Sequence, residues 1–243
     1  MEEISLKAQE IFSIGNFPIT NGLLLALVVF LVLATFAFIF KNKVKLAPGK
    51  LQVVVEMGIE GLLGLMSSVL GSREKAEKYL PLIATIFIFI LTSNWLGLLP
   101  GVGSFVLHEG HKSIPLLRSP AADLNFTLAL AVIAVLATNF FGVVILGFFT
   151  HIKKFLNFSN PLNFFIGVLE FISEISKIVS FSFRLFGNVF AGEILLMIMF
   201  FLLPYVVPVP FLMLEMFVGM IQAFIFSMLT LVFLSSHIAH PEH

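Results

Sequence analysis

The chain has 243 residues, 59% of them hydrophobic and 12% charged, with a mean hydropathy of +1.07. A soluble domain is nearer half apolar and a quarter charged, so too little polar surface remains here for a soluble globular enzyme, a nucleic-acid binder or a disordered chain. Lys+Arg and Asp+Glu balance at 14 each, and zero Cys excludes a disulfide framework, thiol chemistry and Cys-based zinc sites.

The acidic start, Met1-Glu2-Glu3, does not read as a signal peptide. Leu23 to Phe40 is an uncharged run of spanning length, followed at once by Lys41, Lys43, Lys45 and Lys50. The positive-inside rule puts that cluster in the cytoplasm and the N-terminus outside. Leu51 to Leu70 differs, because Gln52, Glu56 and Glu60 recur every fourth residue, with Val55, Ile59, Leu62, Leu63 and Met66 on other faces. That pattern predicts an amphipathic helix rather than a span. Its polar face is acidic, where helices that lie on lipid are usually basic, so a cytoplasmic-side helix meeting another protein is expected. Leu80 to Leu99 is the second strong span, carrying Asn94 and Trp95 near its end and stopped by Pro100-Gly101. The segment from Gly101 to Leu124 holds the only large polar insertion, with His108, Glu109, His111, Lys112, Arg118 and Asp123, and should be external. Phe126 to Phe149 returns to the cytoplasm, where His151, Lys153 and Lys154 follow.

The last third departs from simple spans. No proline interrupts Leu162 to Leu203, and the helical pattern there runs about 60 Å at about 1.5 Å per residue. A hydrocarbon core is about 30 Å thick, so this helix must break or lie strongly tilted. Pro204, Pro208 and Pro210 make the turn, and Phe211 to His237 forms a second long helix running back. The expected fold is an all-α membrane protein in one helical domain over 1–243. It comprises a first span at 23–40, an amphipathic helix at 51–70, two spans within 80–149 and a tilted antiparallel hairpin at 162–237, about five transmembrane helices in all.

Charges inside membrane helices cost about 2.5–3.5 kcal/mol each on insertion scales. Glu170, Glu174, Lys177, Arg184 and Glu193 nevertheless all lie within one apolar helix. Glu170, Glu174, Lys177, Phe181, Arg184 and Asn188 alternate steps of four and three, which places them on one face that continues as Ala191, Gly192 and Leu195. Glu193 lies nearly opposite Arg184. Glu174 and Lys177 are i,i+3 and can neutralise each other, and Glu170 can be solvated at the interface. Arg184 has no acidic residue within two turns on its own helix, so its partner must be on another helix or another chain. An intramembrane Arg of that kind is a functional hypothesis.

On the returning helix Glu215 and Gln222 share a face with Gly219 between them. If Arg184 is level with Gln222, then Glu193 and Glu215 fall at nearly the same height, about 13 Å and 10 Å along their helices. Two carboxylates short of water do not both ionise, and such a pair can hold or pass a proton. Thr127, Ser227 and Thr230 suit bonds to their own helix backbone. His237, His240 and His243 suggest a metal cluster by count, but Pro241 breaks the helix they would need.

The run Ser182-Phe183-Arg184-Leu185-Phe186-Gly187-Asn188, followed by Ala191-Gly192-Glu193 and by Gln222, resembles the signature of subunit a of F-type ATP synthase. Ser93-Asn94-Trp95-Leu96-Gly97-Leu98-Leu99-Pro100 and Ala122-Asp123-Leu124-Asn125-Phe126-Thr127 fit the same family, so the resemblance covers about Leu80 to the C-terminus. It implies a non-catalytic, multi-pass proton-channel subunit of a bacterial inner membrane, without a cofactor, beside a ring of c subunits and peripheral-stalk b subunits, with its C-terminus cytoplasmic. In that family Arg184 would be the stator arginine facing the ring. Asn188, Glu193, Glu215 and Gln222 would line or border an external half-channel with Asn94, Asp123 and Asn125 near its mouth. Glu170, Lys177 and Ser180 would mark the cytoplasmic half-channel. One departure stands out: members often place a His at one of the positions matching Glu193 and Glu215, and this chain has Glu at both. The relay then lacks an imidazole, whose unperturbed pKa is about 6.5.

The rival class is a self-contained secondary ion transporter with a midplane site. Such proteins usually carry paired repeats and discontinuous helices, and neither is visible. A structural subunit of a respiratory complex is a third reading, but no His pair suited to haem lies within the spans.

Overall fold

The computed structural model describes residues 9–15, 17–99, 102, 106–109, 112–148, 161–203 and 206–238. Six helices follow in order: α1 (Asn21–Lys41), α2 (Lys50–Leu70), α3 (Arg73–Leu98), α4 (Leu124–Leu146), α5 (Pro161–Leu202) and α6 (Pro208–Ile238). All six are long and apolar enough to cross a membrane. Two small antiparallel hairpins accompany them, β1 (Glu10–Ile14) with β2 (Phe17–Thr20) and β3 (Val106–Glu109) with β4 (Lys112–Pro115). The second occupies the polar segment expected only as a loop. Met1–Glu3, His151, Lys153, Lys154, Pro204, His240 and His243, on which several sequence expectations fell, lie outside the described residues.

Side-chain caps set the helix starts. The Thr20 hydroxyl accepts from Leu23 N, Ser72 from Lys75 N and the Asp123 carboxylate from Asn125 N, each satisfying a backbone donor that the first turn leaves open. α2 ends at Gly71, which takes the left-handed conformation (φ 73°) that glycine adopts without strain. α2 buries Gln52, Leu63, Met66 and Leu70 and leaves Glu56 and Glu60 exposed, so its acidic face points away from the bundle. Glu60 there meets Arg73 at 2.7 Å.

α5 and α6 run antiparallel. Glu174 lies by His237, Phe181 by Phe226, Asn188 by Gln222 and Gly192 by Glu215, so one sequence climbs as the other descends. At 42 residues α5 is about 63 Å long, twice a hydrocarbon core. Two buried clusters hold the bundle. Leu63, Met66, Leu70, Ala76, Tyr79, Ile83, Leu231 and Leu234 join α2, α3 and α6. Ile86, Ile90, Ala131, Ala134, Phe181, Leu185, Ala223 and Phe226 join α3, α4, α5 and α6. Leu27, Phe30 and Phe38 of α1 are exposed, the pattern of a lipid-facing surface rather than a soluble one.

Candidate functional site: two polar regions and an intramembrane arginine

The stripe on α5 does not present one surface. Glu174 and Phe181 are buried against the bundle, Lys177 and Arg184 are half-buried, and Asn188 is exposed on its helix yet reaches across to α6. The stripe therefore divides into two polar regions with a dry section between them.

The first region is a cavity of about 450 Å³ between α3, α5 and α6, lined among others by Asn94, Ser119, Asn188, Glu193, Glu215 and Gln222. The Asn188 amide donates to Gln222 Oε1 at 2.7 Å, so Gln222 is level with Asn188, one helical turn beyond Arg184. That register still brings the two glutamates to one height, because the Glu215 carboxylate packs against Gly192. A Cβ there would run into the carboxylate, so the approach requires glycine. α3 is clamped to α6 beside the cavity. Asn94 Nδ2 donates to Gly219 O at 3.1 Å, and Trp95 Nε1 donates to Met216 O at 3.0 Å. Asn94 Oδ1, Ser119 Oγ and Gln222 Nε2 are buried and have no hydrogen-bond partner among the described residues. Buried polar groups in native proteins find partners, ordered water included, and the cavity exceeds the roughly 30 Å³ share of one water many times over. It is a place for water.

Arg118 enters this region from the segment before the short 3-10 turn Pro120–Ala122. Its Nε and Nη2 donate to the Glu193 carboxylate at 3.0 and 2.9 Å, and its guanidinium lies 6.0 Å over the Phe190 ring. Glu193 thus faces a fixed cation as well as the cavity it shares with Glu215. From sequence, Arg118 was only one of several polar residues in a loop; no spacing rule connects it to a helix 75 positions on.

The second region is closed. The Glu174 carboxylate accepts from Lys177 Nζ at 2.5 Å and from Asn139 Nδ2 at 3.0 Å, and His237 Nε2 lies 3.4 Å from it. Lys177 Nζ sits 4.7 Å from the Phe233 ring centroid. The i,i+3 neutralisation of Glu174 by Lys177 is present. No sequence spacing points to Asn139 and His237 there, because the docking of α4 and α6 on α5 brings them in. His237 belongs to this cluster at 1% exposure.

Phe181 separates the two regions. It lies 4.7 Å from Phe226 and 5.4 Å from Phe233, with Leu185 buried beside it. Arg184, on the half-exposed flank of that section, donates to Ser180 Oγ at 3.1 Å, and no ion pair to it exists among the described residues.

The weaker sequence candidates lie elsewhere. Asp123 caps α4, holding the backbone N–H and side-chain amide of Asn125, and neither residue is among those that line the cavity. Glu170 is half-buried near the start of α5. Thr127, Ser227 and Thr230 bond their own helix carbonyls, and Thr127 also meets Ser182 at 3.1 Å.

Residues 23–235 match the family model of the ATP synthase A chain. The chain is 37% identical over 216 residues to ATP synthase subunit a of Campylobacter concisus, covering 88% of this chain and 87% of that protein. It is 34% identical to the Campylobacter fetus subunit a, covering 100% of this chain and 99% of that protein. For the Moorella thermoacetica subunit a the identity is 33%, over 94% of this chain and 95% of that protein. An arginine in an apolar helix, a polar-lined cavity on one side of it and near full-length likeness to these relatives agree: the chain belongs to the ATP synthase subunit a family.

Proposed function

We propose that this subunit conducts protons through two half-channels to a ring of c subunits, so that proton flow turns the ring and drives ATP synthesis in catalytic subunits elsewhere in the complex. The observation that carries this reading is Arg184, a half-exposed intramembrane cation without an acidic partner among the described residues, beside a dry section that divides two polar regions. The cavity with Asn94, Asn188, Glu193, Glu215 and Gln222 serves as the external half-channel. The stretch with Glu170, Lys177 and Ser180 serves the cytoplasmic one. Sidedness follows from Lys41, Lys43 and Lys45 after α1, which set the N-terminus external and the C-terminus cytoplasmic in a bacterial inner membrane. Peripheral-stalk b subunits hold the subunit against the ring, and α2, with its outward acidic face, is a surface for such a protein partner.

The chemistry follows from the guanidinium. It stays protonated at any working pH, so it cannot pass a proton and blocks a direct leak between the half-channels. A ring carboxyl that comes beside it is favoured in its ionised form and releases its proton. The next approach to the aqueous cavity reloads it. A membrane potential adds about 2.3 kcal/mol per charge per 100 mV, which gives the cycle its direction. The length of α5 lets one slanted helix serve both half-channels along the ring.

Replacing Arg184 with Ala in the whole complex should abolish proton-driven ATP synthesis while the soluble head still hydrolyses ATP. Wild-type synthesis rates in that variant end the proposal.

A further inference from the structure

One bond between α4 and α5 lies in the knot at Glu174, where Asn139 Nδ2 donates to the carboxylate at 3.0 Å. Another lies well away from it, about 12–18 Å along the helix axes. There the hydroxyls of Thr127 and Ser182 meet at 3.1 Å, and both side chains are fully buried. Ser182 is unlike other hydroxyl residues of the bundle. Ser176, Ser227, Thr230 and Ser236 return their protons to carbonyls of their own helices, the usual way a hydroxyl is satisfied in an apolar helix. Thr127 does the same with Leu124 O at 3.1 Å. A hydroxyl has one proton to give, so Thr127 Oγ1 accepts and Ser182 donates across the interface.

Ser182 stands two residues before Arg184, about 200° around the helix. Phe181, Ser182 and Leu185 form the buried side of α5 at this height, whereas Phe183 and Gly187 are exposed and Arg184 is half-buried. A bond that holds Ser182 inward therefore turns Arg184 outward. Apolar contacts alone fix this roll loosely, because they are non-directional and lipid tails are as apolar as a neighbouring Leu. A hydroxyl pair is directional, and rolling α5 away from Thr127 would leave buried hydroxyls short of a partner. A roll of about 20° would carry the outer edge of the helix through about 2 Å, half the ~4 Å reach of an ion pair. Resting on the half-channel reading above, we infer that Ser182 is a positioning residue that, through its bond to Thr127, fixes the roll of α5 and so the flank on which Arg184 meets the ring carboxyl. The Ser180 hydroxyl, 3.1 Å from Arg184 Nη2, then steadies the guanidinium along that flank.

The test uses the intact synthase in proteoliposomes, with ATP-driven proton pumping divided by ATP hydrolysis in the same assembled complex. Ser182→Ala and Thr127→Val each delete one hydroxyl at nearly unchanged volume. Each should lower the protons pumped per ATP by about three- to tenfold, the equilibrium weight of one hydrogen bond between membrane helices. Thr127→Ser keeps the hydroxyl and should keep the coupling. The double variant Ser182→Ala with Thr127→Val should be no worse than the poorer single variant, because both delete the same bond. A contact that served packing alone would lower the amount of assembled complex and leave pumping per ATP unchanged, and that result overturns the inference. So does a double variant whose loss is the product of the two single losses, or a Thr127→Ser as impaired as Thr127→Val. Absence of assembled complex in both Ser182→Ala and Thr127→Val would make the pair an assembly contact and overturns it too. Failure of the half-channel reading itself would appear separately, as wild-type pumping per ATP in Arg184→Ala.

Discussion

The two polar regions of α5 use similar side chains to opposite ends. Around Glu174 every charge meets a neighbour from its own chain: Lys177, Asn139 and His237 close on one carboxylate, and aromatic rings cover the rest. Around Glu215 the neighbours withdraw. Three buried polar atoms lack partners among the described residues, a glycine stands where a side chain would collide, and about 450 Å³ is left between helices. Burying a charge in a membrane requires either a complete set of partners or access to water. The first solution gives a rigid knot that ties α4, α5 and α6 together. The second leaves the Glu215 carboxylate open to a cavity large enough for water. Charge in a membrane helix can therefore be neutralised inside the bundle or left open to a cavity, and this chain does both.

The contrast can be broken most severely at Glu174. Glu174→Ala leaves Lys177 and His237 without their carboxylate and should destabilise the subunit by about 3–5 kcal/mol, seen as a large drop in assembled complex and in its thermal midpoint. Glu215→Gln, which removes no partner of any described residue, should leave assembly within about 0.5 kcal/mol of wild type even as it stops proton flow. Equal losses of assembly in the two variants would erase the distinction. Next in size is Gly192→Ala. Its new methyl meets the Glu215 carboxylate, the end of a flexible side chain that can turn into the cavity, so the effect falls on the position of the acid more than on stability. Proton flow should fall, and shortening the acid with Glu215→Asp in the same chain should restore part of it. A smaller effect is expected at the wall of the cavity, where Trp95→Phe loses the bond to Met216 O and should cost about 0.5–1.5 kcal/mol in stability. The smallest is Thr230→Val, whose hydroxyl bonds the Phe226 carbonyl of its own helix and nothing else among the described residues; a thermal midpoint shifted by more than the equivalent of about 1 kcal/mol would show that it does more.

Much of this was legible in the sequence because it rests on local periodicity. The proline-free run from Leu162 announced the long first arm, and α5 and α6 begin and end within three residues of the expected limits, but Pro208 and Pro210, expected in the turn, stand in the first turn of α6, where proline is tolerated. The i,i+3 relation of Glu174 to Lys177 is likewise a property of one helix. What stayed hidden depends on helices docking. Arg118 reaches Glu193 across 75 positions and Asn139 reaches Glu174 across 35, so no window reveals either. The hairpin register was off by one turn because Arg184 and Asn188 are both polar and lie on nearly the same face; only the contact itself shows that the amide, not the guanidinium, meets Gln222. His237 drew attention as a member of a histidine run, whereas packing against α5 makes it part of the knot.

The account turns on what neutralises Arg184, and the most direct measurement is a density map of the assembled membrane sector that resolves this side chain. A carboxyl group of a neighbouring c subunit within about 4 Å of the guanidinium, directly or through one water, is the predicted result. An ion pair between Arg184 and an acidic residue of its own chain, with lipid rather than a ring along the exposed flank of α5, would contradict it.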